Sequence, residues 1–228
     1  RTDWDERITK ILAPNRIYFH LDRMLRKNFY YNKWELPQNN FIKIFTTNGN
    51  NFYKGFETIC ESLYLLNKLH KNIIWYIAGI KEDDLIVKVV KKKLGSKYPK
   101  DNLVLLGNLN ENELIDQLLN SNIYVMTSHI ENSPNNLCEA MFLGMPCIST
   151  FAGGTGSFIT DKFDGILIQD GDPWAMAGAI LELVNDKNRA ITLGKHARET
   201  ALKRHDKNKI INNLINNYNE IINDSKEK

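Results

Sequence analysis

From residue 41 onward, short apolar runs rich in β-branched and aromatic side chains alternate with longer stretches whose apolar residues recur every three or four positions. The runs at 41–46, 73–78, 103–106, 123–126, 147–149 and 165–168 predict strands. Between the first two, Phe56, Ile59, Leu63 and Leu66 fall at i, i+3, i+7 and i+10, which places them on one face of a helix. Parallel neighbours need a crossover that a helix supplies, so strands alternating with helices predict an α/β fold with a doubly wound, Rossmann-like parallel sheet. Ligands of such sheets bind at the carboxyl ends of the strands. There the turns at Asn48-Gly49, Gly79, Gly107, Glu131 and Gly153-Gly154 converge on one crevice.

The two ends break the pattern. Residues 1–40 show no alternation and carry Trp4, Phe19, Tyr30, Tyr31 and Trp34. After the last strand, Ile210, Ile211, Leu214, Ile215, Tyr218, Ile221 and Ile222 form an apolar stripe on a helix predicted over 206–228. That stripe either packs on the same domain or crosses to a partner domain.

Composition narrows the class. With 228 residues, 43% hydrophobic and 25% charged, the chain can bury one ample core. A net charge of +3 gives no argument for nucleic acid, and Lys91-Lys92-Lys93 beside Val89, Val90 and Leu94 reads as the wet face of an amphipathic helix. No apolar stretch reaches the length of a membrane span, and no signal-peptide pattern stands at the start. Cys60, Cys138 and Cys147 are odd in number and embedded in apolar runs, as expected of reduced, buried thiols in a cytoplasmic protein. His20, His70, His129, His196 and His205 have no metal-ligand spacing, so no metal site is expected.

The chemistry concentrates between two acids. Glu131 and Glu139 bracket Asn132-Ser133-Pro134-Asn135-Asn136-Leu137-Cys138. Ser133 as N-cap, Pro134 at the first helical position, and Leu137, Ala140 and Met141 at helical spacing predict a short helix. Glu131 then sits on the loop before it and Glu139 more than a turn inside, with its side chain leaning back toward the start. Unpaired N–H groups and the partial positive charge of a helix mouth suit a diphosphate. A carboxylate there repels phosphate, so the useful work for both acids is accepting hydrogen bonds from neutral hydroxyls: a ribose diol on one side, a sugar on the other. That combination describes an activated sugar donor.

The segment from Glu131 to Glu139, continued by Glu139-Ala140-Met141 with Gly144 and Pro146, resembles the E-x7-E signature of retaining glycosyltransferases of family 4, which have the two-domain GT-B architecture. Ile148-Ser149-Thr150, Gly153-Gly154, Asp164 to Ile168 and Gly171-Asp172 resemble the strand, glycine pair and closing strand that follow it, and Tyr53-Lys54-Gly55 the lysine-glycine that opens the first donor-domain helix. The resemblance covers about residues 41 to 205, in order. It implies the C-terminal half of a GT-B enzyme: residues 1–40 as a remnant of the acceptor-side domain and interdomain linker, 41–205 as the nucleotide-sugar donor-binding domain, and 206–228 as a helix crossing to the other domain. The chain then reads as a fragment, expected to bind donor and to transfer poorly or not at all alone.

The resemblance also implies roles. Glu139 binds the ribose hydroxyls; Glu131 touches the donor sugar or positions its anomeric centre; Lys54 and the amides of Asn135, Asn136 and Leu137 hold the diphosphate, with Ser133 in the same loop. Glu131 and Lys54 are thus the catalytic pair. Gly107 and Leu109 resemble the segment that pairs with the base, although a plain strand-end turn explains them equally well. Gly153 and Gly154 either bring backbone up to the sugar or allow a tight turn. Two positions depart from the pattern. Gly49 stands where relatives carry a phosphate-binding arginine, so either its loop forms an anion nest or phosphate is held more weakly. Pro134 replaces a glycine and has no N–H to offer.

The expected activity is transfer of a sugar from a UDP or GDP donor to an acceptor hydroxyl with retention, without cofactor or metal, in surface polysaccharide or glycolipid synthesis. A saccharide or lipid-linked acceptor is expected, in a cytoplasmic setting at the inner face of the membrane, with any peripheral membrane contact made through the missing domain. A non-catalytic nucleotide-sugar-binding module is the alternative, and it would have no need of Lys54, Glu131 and Glu139 together. A phosphorylase or epimerase of the same architecture is a third reading, disfavoured in its phosphorylase form because no lysine for pyridoxal stands out.

Overall fold

The computed structural model describes residues 1–69 and 72–226, so His70 and the last two positions of the expected 206–228 helix lie outside the described residues. All the expected strands form: Ile42–Thr47 (β1), Ile73–Ala78 (β2), Leu103–Gly107 (β3), Ile123–Met126 (β4), Cys147–Thr150 (β5) and Ile166–Ile168 (β6). They make one parallel sheet in the order β3-β2-β1-β4-β5-β6, with β1 and β4 adjacent at the centre. The order reverses between those two strands, which is where a doubly wound sheet opens its ligand crevice.

Helices cover both faces. Phe56–Asn67 (α2), Leu85–Leu94 (α3) and Pro173–Asn185 (α6) lie over Ile44, Trp75, Ile77, Ile123 and Val125. Glu111–Leu119 (α4), Asn135–Leu143 (α5) and the later half of Lys187–Arg204 (α7) lie over Phe45, Tyr124, Met126 and Cys147. Neighbouring strand residues thus go to opposite layers, the period of two that a strand dictates. The predicted stripe Phe56, Ile59, Leu63 and Leu66 is fully buried in the first layer, and complete burial of such a side chain contributes roughly 2 kcal/mol. Cys60, Cys138 and Cys147 are buried free thiols, and burial pushes the Cys138 thiol up to about 12.

The flanks fold onto this frame. Helix Asp3–Leu12 (α1) starts at a capping box in which Thr2 Oγ1 accepts from Asp5 N, and Thr2 Oγ1 donates to Asn132 Oδ1 at 2.8 Å in the Glu131 loop. Phe29 is fully buried, and Trp34 donates its indole N–H to Ser121 O at 2.7 Å and its backbone N–H to Leu143 O at 2.8 Å. Residues 27–36 are therefore packed on α4 and α5. Of the stripe on the last helix, Lys207–Lys226 (α8), Ile210 is buried, whereas Ile211, Leu214, Ile215, Tyr218 and Ile221 are exposed. Among the described residues no helix is long and apolar enough to cross a membrane.

Candidate functional site

The first wall of the crevice is the turn after β1. Residues Phe52–Lys54 make one 3-10 turn that hands over to α2 through Gly55, whose φ of +70 is the left-handed region. A Cβ on Gly55 would stand 2.0 Å from Thr127 O, so only glycine lets this turn lie against the end of β4. Thr127 Oγ1 donates to Lys54 O at 3.0 Å and Asn48 Nδ2 to the same oxygen at 3.3 Å, fixing the backbone of the lysine. Its ammonium reaches across the crevice and donates to Glu131 Oε1, which also accepts from Ser128 Oγ at 3.0 Å.

The second wall is the loop after β4. Gly153 and Gly154 open a turn, Gly153–Ser157, that this loop lies against. Cβ atoms there would stand 2.3 Å from Glu131 O and 2.1 Å from Asn132 O, and Gly154 donates its N–H to Glu131 O at 2.8 Å. The glycine pair is thus spent on the backbone beneath Glu131. His129 pins the same loop from the other side. Its N–H goes to Tyr53 O at 2.8 Å, and its ring bonds Glu57 and Asp170 at 2.6 Å each. Burial works against the imidazolium, but the bonds to Asp170 and Glu57 prevail and hold its pKa above the ordinary histidine value.

Helix α5 forms the floor, one residue later than the sequence predicts. Pro134, with φ −72 and ψ 108, is still extended and occupies the cap itself, so Ser133 does not cap the helix and Asn135 is its first residue. The N–H groups of the first residues have no carbonyl four positions back. Leu137 nevertheless donates to Asn136 Oδ1 at 3.0 Å, while Asn136 Nδ2 donates to Thr47 O at 3.1 Å. Of the three amides expected on the diphosphate, that of Leu137 is already engaged. The anion nest expected at Gly49 is likewise compromised, because the Gly49 N–H donates to Asn48 Oδ1 at 2.8 Å.

Glu139, one turn inside α5, is only 5% exposed, and its carboxylate accepts two parallel bonds of 2.7 Å from Arg26 Nε and Nη2. Burial pushes the carboxyl above its ordinary range; the Arg26 guanidinium pulls it back, and burial wins. Both acids thus meet the crevice with a cation against them: Lys54 on Glu131, Arg26 on Glu139.

Gly49, Lys54, Glu131, Ser133, Asn135, Asn136 and Glu139 line one open cavity of about 680 Å³, together with Arg23, Met24, Leu25 and Arg26. Leu137 is buried beneath it. Gly107 and Leu109 lie away from its lining, at the end of β3, as do Gly153 and Gly154 behind the Glu131 loop. The strap 23–26 is what sequence reasoning missed, along with Ser128 and His129. His129 stands two residues before Glu131, just outside the bracketed segment, whereas nothing in the sequence around Arg26 marks it. Among the described residues no group of three or more His, Cys, Asp or Glu side chains is placed to hold a metal ion.

Residues 29–200 match the family model described as glycosyl transferases group 1. The chain is 28% identical over 126 residues to N-acetyl-alpha-D-glucosaminyl L-malate synthase of Bacillus anthracis, a match covering 55% of this chain and 32% of that protein. In structure it resembles sucrose-phosphate synthase from Thermosynechococcus elongatus, with a TM-score of 0.82 at 18% identity over 97% of this chain and 57% of that one. It also resembles Anabaena HepE in complex with UDP-glucose, with a TM-score of 0.68 at 18% identity over 79% of this chain and 49% of that one. These structural likenesses show the fold. The chain spans about a third of the length of the curated relative and about half of each solved structure.

Proposed function

From the premise that this chain belongs to the glycosyl transferases group 1 family, we propose that it is the donor-binding half of a retaining, family 4 enzyme that moves a hexosyl unit from a nucleoside diphosphate sugar to an acceptor hydroxyl. The observation that carries the proposal is the meeting of Lys54, Glu131, Asn135, Asn136 and Glu139 on one cavity at the carboxyl edge of the sheet. A diphosphate at the mouth of α5 meets the amides of Asn135 and Asn136 and the positive end of the helix. Glu139 accepts from the ribose diol, and Glu131 from the donor sugar.

Lys54 then exchanges Glu131 for the diphosphate. When the bond from the anomeric carbon to the leaving oxygen breaks, negative charge grows on the departing nucleotide, and a preplaced ammonium with helix amides stabilises it more in the transition state than in the ground state. Those groups supply the charge that a divalent metal supplies in other transferases. UDP-glucose in the HepE complex supports a nucleotide-sugar donor of this kind. The exposed stripe of α8 and the ordered flank before β1 form the joint to an acceptor-binding half, where a saccharide or lipid-linked acceptor of surface polysaccharide or glycolipid synthesis is bound.

Calorimetric titration with UDP and GDP tests this reading. One of the two binds the wild-type chain, and Glu139→Ala weakens it by about tenfold or more, the loss of charge-assisted bonds to a diol. Equal affinity in the two proteins removes Glu139 from the site, and no binding of either nucleotide removes the reading.

A further inference from the structure

We propose that Arg26 is a positioning residue of the donor site: it stays on Glu139 while the nucleotide is bound, and so keeps that carboxylate available to the ribose hydroxyls. The inference rests on the reading of Glu139 as the ribose acceptor and extends it to a strap outside the sheet.

The strap is built, not draped. Arg204 Nε donates to Asp22 Oδ1 at 2.8 Å, His205 Nδ1 bonds Arg23 O at 2.7 Å, and Leu25 N donates at 3.3 Å to Tyr30 OH, which in turn donates to His205 O at 2.8 Å, so it is tied to the end of α7 on both sides of Arg23. The Arg26 guanidinium lies 4.9 Å from the centroid of the fully buried Phe29 ring. With its plane supported by an aromatic face and its fork matched to two carboxylate oxygens, Arg26 is preorganised in a way a lysine would not reproduce.

A carboxylate offers about four lone-pair positions. Arg26 takes one on each oxygen, which leaves one on each for a diol. Without the guanidinium, Glu139 would face desolvation with Glu111 of α4 as a further negative neighbour, while Arg23, Lys54 and Glu131 stand around the same cavity. The carboxyl would then take up a proton more readily and lose acceptor capacity at a higher pH than it does beside the guanidinium.

The test compares wild type, Arg26→Ala, Arg26→Lys and Glu139→Gln by titration with UDP-glucose and GDP-mannose between pH 6 and 8.5, since neither donor has a titrating phosphate in that range. Wild-type affinity varies by less than about twofold, Arg26→Ala loses about tenfold at pH 6 and recovers part of it by pH 8.5, and Arg26→Lys falls between them. Glu139→Gln is weak and flat with pH, and adding Arg26→Ala to it changes nothing further. If Arg26→Ala binds as well as or better than wild type at pH 6, the arginine competes with ribose and the inference is overturned while the donor reading stands. If wild type binds neither donor, both fall. Should Arg26→Ala not fold, Arg26→Lys decides: affinity and pH profile identical to wild type overturn the inference.

Discussion

At the scale of residues, Glu139 is pulled in opposite directions by pH. In the proposed role of hydroxyl acceptor it must be ionised, so donor affinity is expected to fall on the acid side, beginning above the ordinary carboxylate range because burial raises this carboxyl. Stability runs the other way. A folded-state pKa above the unfolded one means that the contribution is fully present below the unfolded pKa and is lost as pH rises through the folded one. Melting curves of wild type and Glu139→Gln should therefore converge at low pH, with wild type losing ground above it. Lys54→Ala separates binding from chemistry: in an intact transferase it should lower kcat by about a hundredfold while KM changes far less, because its charge counts most as the diphosphate leaves. Glu131, Lys54 and Glu139 were legible because their spacing and neighbours form a pattern. Arg26 was not, because its partner lies 113 positions away and is chosen by the packing of Phe29 and Trp34, which no local period reveals.

At the scale of elements, the site depends on two loops whose shapes are set by contacts behind them. Gly55→Ala puts a methyl group into the Thr127 carbonyl and a side chain into left-handed backbone; it should cost at least about 2 kcal/mol in denaturant unfolding and weaken donor binding by shifting Lys54. His129 joins the Glu131 loop to Glu57 on α2 and to Asp170 after β6. Its pKa is raised, so its contribution is complete below the unfolded histidine value and is lost as pH climbs through the folded one. Hydrogen exchange around residues 128–132 should accelerate over that window in wild type and be fast and pH-flat, after correction for intrinsic rates, in His129→Gln. The strands were readable to within a residue at each end because apolar runs bounded by glycine and asparagine admit few alternatives. The start of α5 was misplaced because proline suits both the cap and the first turn, and its ψ decides between them.

At the scale of the whole molecule, a sheet reversing between β1 and β4 brings the β1 turn, the β4 loop and the mouth of α5 to one edge. The sequence order of strands and helices predicts that convergence, since right-handed crossovers leave a doubly wound sheet few other arrangements. It does not predict that residues 23–26 line the cavity, for they carry no period and are held in place by tertiary contacts. Joined to an acceptor-binding half, the chain should transfer sugar at a rate unchanged by EDTA, because Lys54 and the helix mouth carry the charge. A crystal of this chain grown with UDP-glucose tests the central claim most directly. The ribose hydroxyls should lie within about 3 Å of the Glu139 carboxylate, and the diphosphate against Lys54 and the amides of Asn135 and Asn136. A nucleotide seated elsewhere, or a ribose out of reach of Glu139, would contradict it.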